Sequence, residues 1–462
     1  MSYLFVSIGG TGAKVMEALT HVAIGGALPE NECLYIAAID PDVGNGNLER
    51  TSTALNNFVA FQNLAVGLDT PLFKNKISIL RPFPWNPTGH DKNLDDLTEF
   101  HHHSNSPVGK LYELLYTRRE RATTLNEGFR GHPSIGAAVL AKKFSDGSKL
   151  TAQIEKILGE GDNVKIFLAG SVFGGTGAAG LPTVARLLKN NLADYADRIS
   201  IGGALMLPYF SFTPDGKLDE LFARSENFLA NTKAALKFYS ERENLFDAMY
   251  FVGDSRLTPV TEFSVGAANQ RNEANIVELY AALAATDFFA RPMHAQKVFK
   301  YICRHEEKKF SWEDLPTSRE RFVQFARFVF AYVTLIKPVL NDLAAGNAKA
   351  YKFPWFTDFH LDNVNLTADD AVNFNFYVEA FAAWLKQIET LDGREVLLID
   401  PALFTANPAK IVDKKLFASL DGKKSAVTLH EIFYRLSEPA KFDSTVTGFG
   451  KFLRRLYDVC AA

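Results

Sequence analysis

The sequence predicts an α/β protein: a parallel sheet with helices on both faces, then a long central helix and a largely helical C-terminal part. Three observations predict it. Short, almost wholly apolar runs alternate with longer helical patterns from residue 3 to residue 254. The glycine-rich pentapeptide GGTGA stands at a strand-to-helix junction at residues 9–13 and again at residues 174–178. A helical stretch at 268–290 starts polar and becomes apolar all round, as a helix buried between two parts of a protein does.

The strand candidates, in order, are YLFVSI (3–8), CLYIAAID (33–40), VKIFLAGS (164–171), RISIGGALML (198–207) and DAMYFVGD (247–254). Strands without polar alternation are buried on both faces, the mark of a parallel sheet covered by helices. In such sheets ligands sit at the carboxyl ends of the strands. Most of these runs end in a small, acidic or turn-forming stretch.

Residues 60–125 contain RPFPWNPTGHDKNLDDLTEFHHHSNSP, read as an insertion of loop and short helix. Its His101–His103 are adjacent and cannot share one face, so a solvated loop is the reading, not a metal site. SRERFVQFARFVFAYVTLI (318–336) is a second long helix with Arg321, Gln324 and Arg327 on its polar side. Beyond residue 340 the pattern is mainly helical, with one strand candidate, REVLLID (394–400), and an amphipathic helix at 446–457 edged by Arg454 and Arg455.

At 462 residues the chain exceeds one ordinary core, and its 47% hydrophobic content suits a globular protein. Most of its 38 Phe are expected in the core. A net charge of −3 lacks the basic footprint of a nucleic-acid binder. Cys33, Cys303 and Cys460 are scattered, with no CxxC, which argues against a disulfide framework or a cysteine zinc site. The apolar N-terminus has no basic leader region and reads as a strand. No uninterrupted apolar run reaches membrane-spanning length, so a cytoplasmic location and no membrane span are expected.

The repeated pentapeptide could mark an internal repeat, two nucleotide sites, or two walls of one site. Glycines at a strand-to-helix turn let the backbone approach an anion with its N–H groups and a helix N-terminus. They are equally at home in tight turns without a ligand. A Walker A loop is excluded, because Lys14 follows Ala13 and precedes Val15. Gly175, Gly177 and Gly180 match GxGxxG formally, which leaves an NAD(P)-dependent oxidoreductase as a minor reading. The flanks of the two copies differ, which disfavours duplication.

AGSVFGGTGAAGLP resembles the glycine signature of the tubulin and FtsZ superfamily, and further stretches follow in that superfamily's order. These are IGGTGAKV at the first phosphate loop, AAIDPDVGN at the second-strand loop, GFRGHPSIGAAVLAKK (128–143) at the γ-phosphate loop and LMLPYFSF (205–212) at the ribose loop. DAMYFVGDSRL stands before the central helix. The resemblance covers residues 1–290. It implies a divergent prokaryotic tubulin-like protein with a nucleotide-binding domain at 1–267, a central helix at 268–290 and a C-terminal domain at 291–462.

The resemblance also implies GTP or GDP with Mg2+. Gly9, Gly10, Thr11 and Gly12, with Lys14 in the following helix, would line the α- and β-phosphates. Ser171 and Gly174, Gly175, Thr176 and Gly177 would cradle the β- and γ-phosphates from the other side. Asp40 and Asp42 would hold magnesium through water. Arg130, Gly131 and His132 would approach the γ-phosphate, and Pro208 would lie beside the ribose. Asn275, with Asn231 or Asn227, would read the base, and Arg271 would stack on it.

In the family a neighbouring subunit's acidic loop completes hydrolysis. Its NxDxxD consensus is absent here, and Glu313 and Asp314 in WEDLP stand in that place. The implied function is a self-associating, head-to-tail GTPase of the cytoskeletal-filament kind. The alternative is a non-polymerising nucleotide-sensing scaffold of a multiprotein bacterial system, with partners docking on the C-terminal domain.

Overall fold

A computed structural model of the chain describes residues 1–29, 33–68, 70–89, 91–125, 128–129, 132–145, 149–212, 228–242, 244–260, 272–303, 310–311, 319–346, 352–361, 366–391, 396–397, 429–438 and 448–461. The protein is α/β, built on a seven-stranded parallel sheet flanked by helices. In chain order the strands are β1 (Ser2–Ile8), β2 (Cys33–Ile39), β3 (Lys76–Ile79), β4 (Val164–Ser171), β5 (Ile199–Met206), β6 (Ala248–Gly253) and β7 (Val298–Cys303). Their order across the sheet is β3-β2-β1-β4-β5-β6-β7.

Every residue of β1, β4, β5 and β6 is buried, as the continuous apolar runs require of strands covered on both faces. β3 and β7 were not among the strand candidates. β3 is the four residues KISI, inside the stretch read as loop and short helix. β7, VFKYIC, is one of the sheet's two edge strands and alternates half-buried with exposed residues.

The helices that position the site are α1 (Gly9–Ile24), α2 (Gly46–Phe61), α3 (Pro133–Ser145), α4 (Gly175–Asn191) and α5 (Ile276–Ala290). α1 is buried along almost its whole length and packs on α2 and α5. α5 is the central helix; it starts later than its sequence pattern suggests, with residues 272–275 as an extended lead-in. Its far end is held by Lys165 of β4, whose buried ammonium donates to the carbonyls of Phe289, at 2.7 Å, and of Arg291. A cation there complements the helix dipole.

Beyond the sheet come α6 (Arg319–Ala331), α7 (Asp369–Leu391) and α8 (Phe449–Val459), with a short parallel pair, Phe310–Ser311 and Val396–Leu397. Their aromatics continue the main core: His21 of α1 meets Tyr377, Phe381 and Trp384 of α7. One helix among the described residues, Glu320–Ala344, is long and apolar enough to cross a membrane, but 61% of its apolar window is buried inside the protein. His101–His103 end a short helix, Phe100–His103, and are exposed. Among the described residues no group of three or more His, Cys, Asp or Glu could hold a metal.

Candidate functional site

β1 lies between β2 and β4, and the chain leaves it for β2 while it leaves β4 for β5 on the other side. That reversal opens a crevice at the carboxyl ends of β1 and β4, where doubly wound sheets bind their ligands. Both GGTGA loops stand there. α1 starts at Gly9, directly after β1; α4 starts at Gly175, with three residues between it and the end of β4 at Ser171. Among the described residues neither helix start has a side-chain cap or an acid in its first turn. Two sets of first-turn N–H groups, with two helix dipoles, thus have no acid of their own first turn and no side-chain cap.

The loops touch. Gly9 has φ +75°, and a Cβ on it would lie 3.2 Å from Thr176 Cβ and 3.4 Å from the Gly177 nitrogen. Gly177 is packed on its own strand end, where a Cβ would come within 2.5 Å of the Ser171 nitrogen. Glycine is thus dictated by close approach at both junctions. Gly10, Thr11 and Gly174 remain partly exposed, whereas Gly12, Ser171, Gly175 and Thr176 are buried.

The neighbouring loops converge on the same edge. Asp40 follows β2 and is 4% exposed. Its Oδ1 accepts the Asp42 N–H at 3.1 Å, and its buried Oδ2 has no partner among the described residues. Burial, with the Asp42 charge adding to it, pushes the Asp40 carboxyl up to about 8. Asn45 caps α2 by accepting the Asn47 N–H at 2.9 Å, and its Nδ2 would stand 2.8 Å from a Cβ on Gly10. From the other side, a Cβ on Gly128 would lie 3.7 Å from Thr176 Oγ1. His132 is half-buried beside Glu120, with Nδ1 3.6 Å from Oε1.

Lys14 and Asn275 are committed within the protein. Lys14 is 5% exposed and pairs with Glu278 of α5, which is wholly buried. Asn275 is the N-cap of α5: its Oδ1 accepts the Val277 N–H at 3.0 Å and its Nδ2 donates to Thr258 Oγ1 at 3.2 Å. Pro208 is half-buried in the turn after β5, and Asn231 is exposed on the helix Phe228–Ser240. Arg130, Gly131, Asn227, Arg271, Glu313 and Asp314 lie outside the described residues.

Several residues around the site were not singled out from the sequence. Tyr209 donates to Glu278 Oε1 at 2.8 Å. Arg50 holds Glu17 through Nε and Nη2, at 2.8 and 2.6 Å, and donates through Nη1 to the Asn272 carbonyl at 2.9 Å. The capping box Asn275–Glu278 is written in the sequence as N-x-x-E before an apolar run. The pairing of Lys14 with Glu278 has no local signature.

The arrangement places two glycine-rich helix starts side by side at the carboxyl ends of β1 and β4, with a buried Asp40 carboxyl, its pKa raised by burial, at the end of the neighbouring β2. No protein-family model matches the chain, and no curated protein matches it. Among solved structures it is similar to CetZ from Methanosaeta thermophila strain DSM 6194, a tubulin/FtsZ-family protein, at 16% identity and a TM-score of 0.28. The match covers 62% of this chain and spans about half, 52%, of the CetZ chain. A likeness at that level is not an argument for shared function.

Proposed function

We propose that the chain binds GTP and GDP with Mg2+ as a tubulin/FtsZ-like protein and associates with itself head-to-tail. The observation that carries this reading is the contact of Gly9 with Thr176 at the sheet's switch point. It supports reading the two GGTGA loops as opposite walls of one phosphate site. In this reading the amides of residues 9–12 hold the α- and β-phosphates, and those of residues 174–177 hold the β- and γ-phosphates. Magnesium would supply charge neutralisation of the phosphate oxygens. Asp40 and Asp42 would hold it, and the partnerless Oδ2 of Asp40 fits that task. Gly128 stands against Thr176, and in this reading Arg130, Gly131 and His132 approach the γ-phosphate.

Hydrolysis in this reading awaits Glu313 and Asp314 of a neighbouring chain, which would orient the attacking water. Base selection falls to Arg271, with Asn231 and Asn275, the latter needing release from its capping bonds. The test is sedimentation with GTP·Mg2+ at high protein concentration, alongside phosphate release. Pelleting that needs GTP, and turnover lost in Glu313→Ala and Asp314→Ala with binding intact, are expected. Binding without pelleting, and turnover unchanged by those substitutions, would favour the non-polymerising scaffold. The described residues of the C-terminal part are largely helical, unlike the family's mixed α/β second domain, and this favours that alternative.

A further inference from the structure

We infer that Glu278 is a positioning residue for the phosphate crevice, acting through Lys14 and Tyr209 and touching no ligand itself. The inference rests on the nucleotide-site reading above. Three segments meet on this one wholly buried carboxylate. Lys14, on α1 just after the first GGTGA loop, pairs with Oε1. Tyr209, next to Pro208 in the turn after β5, donates to the same oxygen at 2.8 Å. The Asn275 N–H at the start of the central helix donates to Oε2 at 2.9 Å. Lys14 Nζ also lies 5.9 Å from the centre of the Tyr209 ring.

One turn further along α1, Glu17 repeats the connection in mirror form. It holds Arg50 of α2, and Arg50 bonds the Asn272 carbonyl. Asn47 Oδ1 accepts the Asn272 N–H at 2.9 Å. The same face of α1 therefore grips residues 272–278 twice, through charges of opposite sign.

Apolar contacts alone would allow α1 to slide along α5, because they have no preferred direction. Charge-assisted hydrogen bonds to a buried carboxylate fix distance and angle together. They set where α1 begins relative to β5 and α5, and hence how residues 9–13 face residues 174–177. Lys14 is the cation nearest the crevice in the sequence, yet its charge serves this internal tie rather than a phosphate.

A buried ion pair can be replaced by well-packed apolar residues with little loss of stability, and this separates positioning from mere support. The test compares Glu278→Gln, Lys14→Met and the double variant Lys14→Met/Glu278→Met with the unaltered chain. The readouts are urea midpoint, amide hydrogen exchange at residues 9–13 without nucleotide, and GTP·Mg2+ affinity. The double variant should regain the part of the midpoint lost through an unpaired buried charge, though not the part lost when Tyr209 and the Asn275 N–H lose their acceptor. It should still exchange faster at residues 9–13 and bind GTP more weakly by on the order of tenfold, as for other supporting partners of a ligand shell. A double variant with unaltered exchange and affinity would overturn the inference. If the unaltered chain binds no GTP, the nucleotide reading falls, and the exchange measurement alone decides this one.

Discussion

Gly9 of the first GGTGA loop lies against Thr176 of the second, close enough that a Cβ on Gly9 would stand 3.2 Å from the threonine Cβ. Two copies of one pentapeptide far apart in sequence thus meet at one point, each at the end of a neighbouring parallel strand. In the proposed nucleotide reading the repetition arises from a shared task at one crevice. No repeat of flanking structure is needed to explain it.

The close approach at Gly177 gives a stability prediction. A Cβ there would come within 2.5 Å of the Ser171 nitrogen and 3.0 Å of its carbonyl oxygen, both backbone atoms with nowhere to move. Gly177→Ala should destabilise by about 1–3 kcal/mol, the usual cost of overpacking. Urea unfolding measures it, and an unchanged midpoint would contradict the packing described.

Asp40 couples stability against function. Its folded pKa is raised from 3.8 to about 8 by burial, so the folded state holds the proton more tightly than the unfolded one. Stability is then lost as pH climbs through that window, and it levels off above about 8. Asp40→Asn should stabilise the ligand-free protein by about 1–3 kcal/mol at pH 8.5, with the gain shrinking toward pH 5. The same variant should lose the Mg2+ dependence of GTP binding. Thermal unfolding at the two pH values, with and without Mg2+ and GTP, checks both halves.

His21 sets an acid limit. Burial, with Arg50 adding to it, lowers its pKa from 6.5 to about 3, so the ring is neutral in the fold. Its Nδ1 meets Tyr377 Oη at 2.8 Å, and its Nε2 has no partner among the described residues. The unfolded chain takes up a proton below its ordinary value and the folded one does not. Stability therefore falls as pH drops from 6.5 toward 3, by up to about 1.4 kcal/mol per pH unit. His21→Leu should flatten that slope in urea titrations between pH 6.5 and 5, whatever it does to the midpoint at pH 7.

Lys165 anchors the far end of the central helix. Lys165→Met would leave the Phe289 and Arg291 carbonyls without their donor, at a cost of about 1–3 kcal/mol. Hydrogen exchange should show the loss first in the last turn of α5. An effect spread evenly over the protein would argue against the anchoring role.

Much of this was legible in the sequence, and the exceptions have physical causes. The inner strands declared themselves because strands buried on both faces leave no polar interruption; the run at 164–171 matches β4 residue for residue. β3 and β7 escaped because one is four residues long and the other is a half-exposed outer strand. The crevice was legible through its glycines. The roles of Lys14 and Asn275 were not, since a local pattern cannot tell a lysine facing a ligand from one facing Glu278. Asn275 carried the sign of a helix cap in N-x-x-E, and the structure uses it as one.

The central claim is that the two GGTGA loops form one site, and calorimetric titration of GTP·Mg2+ tests it most directly. Gly10→Val and Gly174→Val suit the purpose. A Cβ on Gly10 would press on the Asn45 amide that caps α2. One on Gly174, whose backbone is already extended at φ −96° and ψ 149°, would meet Ser171 Oγ at 3.2 Å. The urea midpoint of each variant is therefore measured beside its titration. The account predicts one GTP per chain, lost in either variant while both stay folded. Two GTP per chain, with each variant losing a different one, would contradict it.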